Sequence, residues 1–154
     1  MKEKYESKES HKWHGVELNK LVWKLLEKKE RTPGEDDTII HASHASFYHW
    51  GKAGTVVNIA RGYRLLSHVY AVLNKSVPAL IYAKKCMEVT DKNKLKDFDL
   101  AYAYEAMSRA YAVGGNKANY EKYMKLAKNA GEEIKNDEDR KIFMATVQTT
   151  TLFG

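Results

Sequence analysis

Residues 55 to 90 constrain this chain more tightly than any other stretch. Val56, Ile59, Tyr63, Leu66, Ser67, Tyr70 and Leu73 recur at the three- and four-residue spacing of a single helix face. A second segment, Ser76 to Thr90, follows after a short break at Asn74-Lys75-Ser76. Thr55 stands where a helix N-cap is needed. Pro78 falls in the first turn of the second segment, where its missing N–H costs little. A break this short leaves one arrangement, two antiparallel helices lying side by side.

The chain then repeats itself. A shift of 41 residues aligns Ser67 with Ser108, Tyr70-Ala71-Val72 with Tyr111-Ala112-Val113, Tyr82 with Tyr123 and Lys84 with Lys125. Leu66, Ser67, Tyr70 and Ala79, closed by the small side chain of Cys86, resemble a tetratricopeptide (TPR) repeat. Tyr63 stands where that family prefers tryptophan, Ser67 replaces a glycine or alanine, and the closing proline is missing. A TPR unit is about 34 residues, so the surplus falls in Asp91 to Asp97. Residues 38 to 147 also resemble a group of uncharacterised bacterial TPR-like proteins. That resemblance rests on Tyr48-His49-Trp50-Gly51, Ala53-Gly54-Thr55, Val69 to Leu73, Asp99 to Ala106 and Glu138-Asp139-Arg140. It implies an all-α, TPR-like right-handed stack of antiparallel hairpins and brings no activity with it.

Composition agrees with an all-helical chain. There are only two prolines among 154 residues and few β-branched runs. A single cysteine excludes an intramolecular disulfide. The absence of a signal-like segment and of any apolar run near 18 residues makes a cytoplasmic protein with no membrane partner the expectation. Net charge is +6, yet the lysines are diluted by glutamates and form no basic stripe interleaved with aromatics. Nucleic acid is therefore not the expected partner.

Taken in order, residues 1–12 are Lys- and Glu-rich and are expected to be disordered or a frayed helix end. A single helical domain then spans 13–148, and 149–154 form a tail. Leu18, Leu21, Val22, Leu25 and Leu26 mark a helix from about His14 to Glu30, stopped by Arg31-Thr32-Pro33-Gly34. Thr38 to Ala53 is the next, with Ile39, Ser43, Ser46, Phe47 and Trp50 on one side and His41, His44 and Tyr48 opposite. Beyond the hairpin, Asp97 or Asp99 caps a helix to Val113 whose core face is Leu100, Ala103, Tyr104, Met107 and Tyr111. Lys117 to Ile134 is its partner. A last helix from about Glu138 to Val147 offers Ile142, Phe143 and Ala145 to seal the open end of the stack, as repeat proteins require. That makes about seven helices.

Three places could carry chemistry. Asp37, His41 and His44 fall on one helix stripe and are weak metal candidates, since neither an H-E-x-x-H nor a cysteine-rich pattern accompanies them. His49 beside Trp50 could form a small-ligand pocket with Arg61 and Glu105, a general base next to a stacking ring. The ordinary alternative is a half-buried histidine and a core tryptophan. The TPR resemblance points instead to residues off the core stripe of each first helix. These are Arg61, Arg64, His68 and Ala71 in one repeat and Tyr102, Glu105, Arg109 and Ala112 in the next. Arginines there suit a carboxylate or an acidic peptide. The competing reading is a solvated face with Glu105 and Arg109 as an i, i+4 pair. No phosphate loop, nucleophile elbow or carboxylate pair points to an enzyme. The expectation is a non-catalytic scaffold or adaptor without cofactors, docking a protein or acidic peptide in a concave groove, and able to form a homodimer.

Overall fold

The computed structural model describes residues 7–150. Among these residues seven helices follow one another: α1 (Lys8–Leu26), α2 (Pro33–Ala53), α3 (Val56–Val72), α4 (Ser76–Lys92), α5 (Phe98–Val113), α6 (Lys117–Glu132) and α7 (Asp137–Gln148). The architecture is all-α. The closest pairings are α1 with α2, α3 with α4 and α5 with α6, so three hairpins stack in chain order. No described helix is long and apolar enough to cross a membrane.

The core is correspondingly serial. Val22, Ile39, Leu65 and Val69 pack at the first junction, Ala79, Ala83, Ala106 and Met107 at the second, and Tyr102, Ala127, Ile134 and Phe143 at the third. Each hairpin buries its apolar stripe against the next, as in a repeat stack. The 41-residue repeat is a repeat of bonds as well as of letters. The Ser67 hydroxyl donates to the Ala79 carbonyl at 2.8 Å, and Ser108 donates to the Tyr120 carbonyl at 3.0 Å. Tyr70 stacks on Tyr82 with ring centres 5.8 Å apart, and Tyr111 on Tyr123 at 5.7 Å. A serine serves here because its hydroxyl ties the two helices of the hairpin together, which glycine or alanine cannot do.

Several helix ends differ from their sequence expectation. α1 starts at Lys8, well before His14, because the Ser7 hydroxyl accepts the Ser10 N–H at 3.1 Å. Its first turns are polar and carry no apolar stripe to betray them. Thr32-Pro33-Gly34 starts a helix instead of stopping one. Thr32 and Glu35 form a capping box, with each side chain accepting the other's backbone N–H, and Pro33 occupies the first helical position. The surplus at 91–97 forms a turn with Lys94 and Asp97 at positive φ. The Asp97 carboxylate accepts the N–H groups of Phe98 and Lys135, pinning this turn to the α6–α7 loop.

α7 departs furthest from expectation. Phe143 is fully buried and packs on Gly131 of α6, where a Cβ would run into its ring. Ile142, by contrast, is half exposed. The helix contacts α5 as well as α6. It therefore packs along α5 and does more than cap the end of the stack. As a result α5 is buried almost all round: Tyr102 and Glu105, placed by sequence on an open groove, are 7% and 2% exposed. The tail is partly accounted for, since Thr150 is buried against α5. Residues 1–6 and 151–154 lie outside the described part.

Candidate ligand cavity between α3 and α5

α3 and α5 lie side by side, each the first helix of its hairpin, and between them opens a cavity of about 650 Å³. α3 supplies Arg64 and His68; α5 supplies Phe98, Tyr102 and Glu105. α1 closes one side with Trp23, and α7 closes another with Ile142, Ala145, Thr146 and Thr149. Of the residues expected to form a groove, Arg64, His68, Tyr102 and Glu105 thus share one cavity. Arg109, Ala71 and Ala112 line a smaller pocket of about 150 Å³ that also includes Thr149.

Arg61 is different. It is about half exposed and holds Asp99 through two bonds, Nε to Oδ1 at 2.8 Å and Nη2 to Oδ2 at 3.2 Å. Its charge is already answered.

Arg64 has no such partner. Its guanidinium lies 4.0 Å from the centre of the Tyr102 ring and 5.8 Å from that of Phe98. Nη1 is out of reach of solvent and has no hydrogen-bond partner. Burial holds this arginine below its usual range, but a guanidinium does not deprotonate in a protein. The charge therefore stays, stacked on aromatic faces, with the Glu105 carboxylate near enough to favour it but no anion in ion-pair contact.

The neighbouring groups do not answer it. Glu105 accepts Arg109 Nε at 2.7 Å and the Thr150 hydroxyl at 2.8 Å. Burial pushes the Glu105 carboxyl up, but Arg109 and these hydrogen bonds win and hold it below the usual carboxylate range. His68 packs on Trp23, ring centres 5.3 Å apart. Burial, reinforced by the Arg109 charge, pushes it down to about 4, so it is neutral at pH 7. Two guanidiniums and one carboxylate leave the site with one positive charge in excess.

The chain itself blocks the Arg109 end. Arg109 Nη2 donates to Thr149 Oγ1 at 3.2 Å and to Thr150 Oγ1 at 2.9 Å, and the Tyr120 hydroxyl donates to the Thr150 carbonyl at 2.9 Å. The expected i, i+4 pair of Glu105 and Arg109 exists, but it is buried and used to hold the end of α7.

The other expected sites do not assemble. Trp50 and Arg61 line a separate cavity of about 310 Å³, together with Asn19 and Arg64, and Glu105 is absent from it. His49 turns to α1, where its Nδ1 lies 2.9 Å from His11 Nδ1 and its ring stacks on His14. His44 bonds the Tyr70 hydroxyl at 2.8 Å through Nε2 instead of sharing an ion with Asp37 and His41. Among the described residues no three His, Cys, Asp or Glu side chains are placed to hold a metal. The Cys86 thiol is pushed up to about 11 by burial, which makes it a poor nucleophile.

Sequence reasoning missed Trp23, Phe98 and the threonines of α7. Trp23 sits at the edge of an apolar stripe and reads as core. Nothing in the threonine run Thr149-Thr150-Thr151 marks a partner on α5. Comparison with family models, curated proteins and solved structures finds no match to this chain.

Proposed function

We propose that this protein is a non-catalytic binding module that takes an acidic group into its concave cavity, with Arg64 as the charged anchor. One observation carries the reading: Arg64, with a buried nitrogen that bonds to nothing and no carboxylate in ion-pair contact, lines an apolar cavity large enough for a ligand. An unpaired buried charge costs several kcal/mol (roughly, after relaxation), so a fold that keeps one without a ligand is giving up stability. Cavities of this size, mostly apolar with a few polar groups, are what small-ligand and side-chain sites look like. A binding module is also what the TPR resemblance implies, and the protein or peptide segment implied there would use the same chemistry. Catalysis is disfavoured because Glu105 is locked by Arg109 and Thr150, and His68 lies too far below neutrality to act as a base at pH 7.

The test is charge selectivity. Thermal unfolding of the wild type with carboxylates and their matched amides should show stabilisation by the carboxylates alone. At a hundredfold excess over Kd the gain is about 2.7 kcal/mol. Arg64→Gln should abolish the response. Equal stabilisation by acid and amide would refute Arg64 as anchor.

A further inference from the structure

Resting on that reading, we propose that the ligand is a free monocarboxylic acid with an apolar body of cavity size, and not a stretch of polypeptide lying between α3 and α5. Three features point there.

The first is the wall that α7 forms. Trp23 bounds the cavity from α1, Ile142 and Ala145 bound it from α7, and the Arg109 end is filled by Thr149 and Thr150, both bonded to Arg109. An extended peptide would have to displace α7, whose Phe143 is fully buried beneath it. A molecule of cavity size has no such obstacle.

The second is charge. The surplus is a single positive charge on Arg64, since Arg109 is matched by Glu105 and Arg61 by Asp99. A monoanion completes the site, whereas a phosphate or a dicarboxylate would leave a negative charge buried without a partner.

The third is surface. Beside the polar groups of Arg64, His68, Glu105, Thr146 and Thr149, of which Glu105 is already held by Arg109 and Thr150, the lining is apolar: the rings of Trp23, Phe98 and Tyr102 and the aliphatic side chains of Ile142 and Ala145. A ligand must bring matching apolar area to displace water from them. Its carboxylate would accept from Arg64 while its body lies against these rings. At about 650 Å³ the space lies within the range of drug-sized ligand sites.

Calorimetric titration of the full chain tests this with three probes: decanoate below its micellar range, decan-1-ol, and the acidic peptide N-acetyl-Leu-Phe-Glu-amide. Two variants accompany the wild type. Arg64→Met removes the charge, and Ala145→Phe fills the cavity from an exposed position on α7, where folding is not at stake. Decanoate should bind the wild type, and decan-1-ol should bind about tenfold to a hundredfold more weakly, the loss of one charged hydrogen bond. Both variants should lose decanoate by at least a comparable factor. If the peptide binds through Arg64 and decanoate does not, this inference is overturned and the binding-module reading survives. If decanoate and decan-1-ol bind alike, or if Arg64→Met binds decanoate as the wild type does, both are overturned. Unchanged decanoate binding by Ala145→Phe places the acid elsewhere and overturns the inference alone.

Discussion

Arg64→Met should raise the thermal midpoint of the ligand-free protein by roughly 2–8 °C while destroying its ability to bind an acid. Most core substitutions destabilise, so the sign is the diagnostic part. The native arginine is stacked on Tyr102 with a buried nitrogen that bonds to nothing. Replacing even a buried ion pair by apolar side chains of similar volume is often neutral or stabilising by about 1–4 kcal/mol, and an arginine without an ion-pair partner has less attraction to lose. Methionine keeps the unbranched stem and its contact with the ring, and it gives up a cation–π attraction of about 0.5–2 kcal/mol. In the middle and upper part of these ranges the net gain is about 1–2 kcal/mol, and each kcal/mol moves the midpoint about 2–4 °C in a domain of this size. Arg61→Met is the control with the opposite sign. That residue pairs with Asp99 in a half-exposed bridge, so its loss should leave stability unchanged or lower it by up to about 1 kcal/mol. Calorimetric unfolding of both variants decides the matter. A fall in the Arg64→Met midpoint would mean that the arginine is satisfied in the free protein.

Acidification should destabilise the fold well before ordinary carboxylates titrate. His68 is held down to about 4 against an ordinary 6.5, chiefly by burial and then by Arg109. Above pH 6.5 the imidazole is neutral in both folded and unfolded chains and contributes nothing. Below it the unfolded chain takes up the proton first, so stability falls as pH drops from about 6.5 toward 4. The full difference is about 3 kcal/mol, with about 2 kcal/mol already lost at pH 5. His44 and His49, both lowered chiefly by burial, act in the same direction. Glu105, held below its usual range, adds a loss at still lower pH. Urea unfolding of the wild type and His68→Leu at pH 7 and pH 5 separates the terms. The variant should be markedly less sensitive to pH, and equal slopes would remove His68 from the account.

Much of the fold was readable because local pattern and packing agree. The 41-residue offset linking Ser67 to Ser108 and Tyr70 to Tyr111 proved to be a repeat of hydrogen bonds and ring stacks. The TPR resemblance pointed to Arg64, His68, Tyr102 and Glu105 on the first helices of the two hairpins, and the structure brings the four into one cavity. What periodicity could not tell is what covers that face. Ile142, Phe143 and Ala145 show that α7 has an apolar side but say nothing of the surface it meets. Only the fold shows Phe143 locked onto Gly131 and Thr150 tied to Glu105. The same blindness hid the contrast between the two arginines. Arg61 and Arg64 look alike in sequence, and the difference lies in Asp99, which reaches one and not the other. The α2 start was missed for a different reason: the Thr32–Glu35 capping box was present in the letters, and Pro33-Gly34 read as a stop drew attention from it.

The most direct measurement is a crystal structure of the protein grown with 10-bromodecanoate, with the bromine located by its anomalous signal. The account predicts a carboxylate oxygen within hydrogen-bond distance of Arg64 and the bromine among Trp23, Phe98 and Ile142. A cavity holding ordered water, with the acid absent or bound elsewhere on the surface, would contradict it.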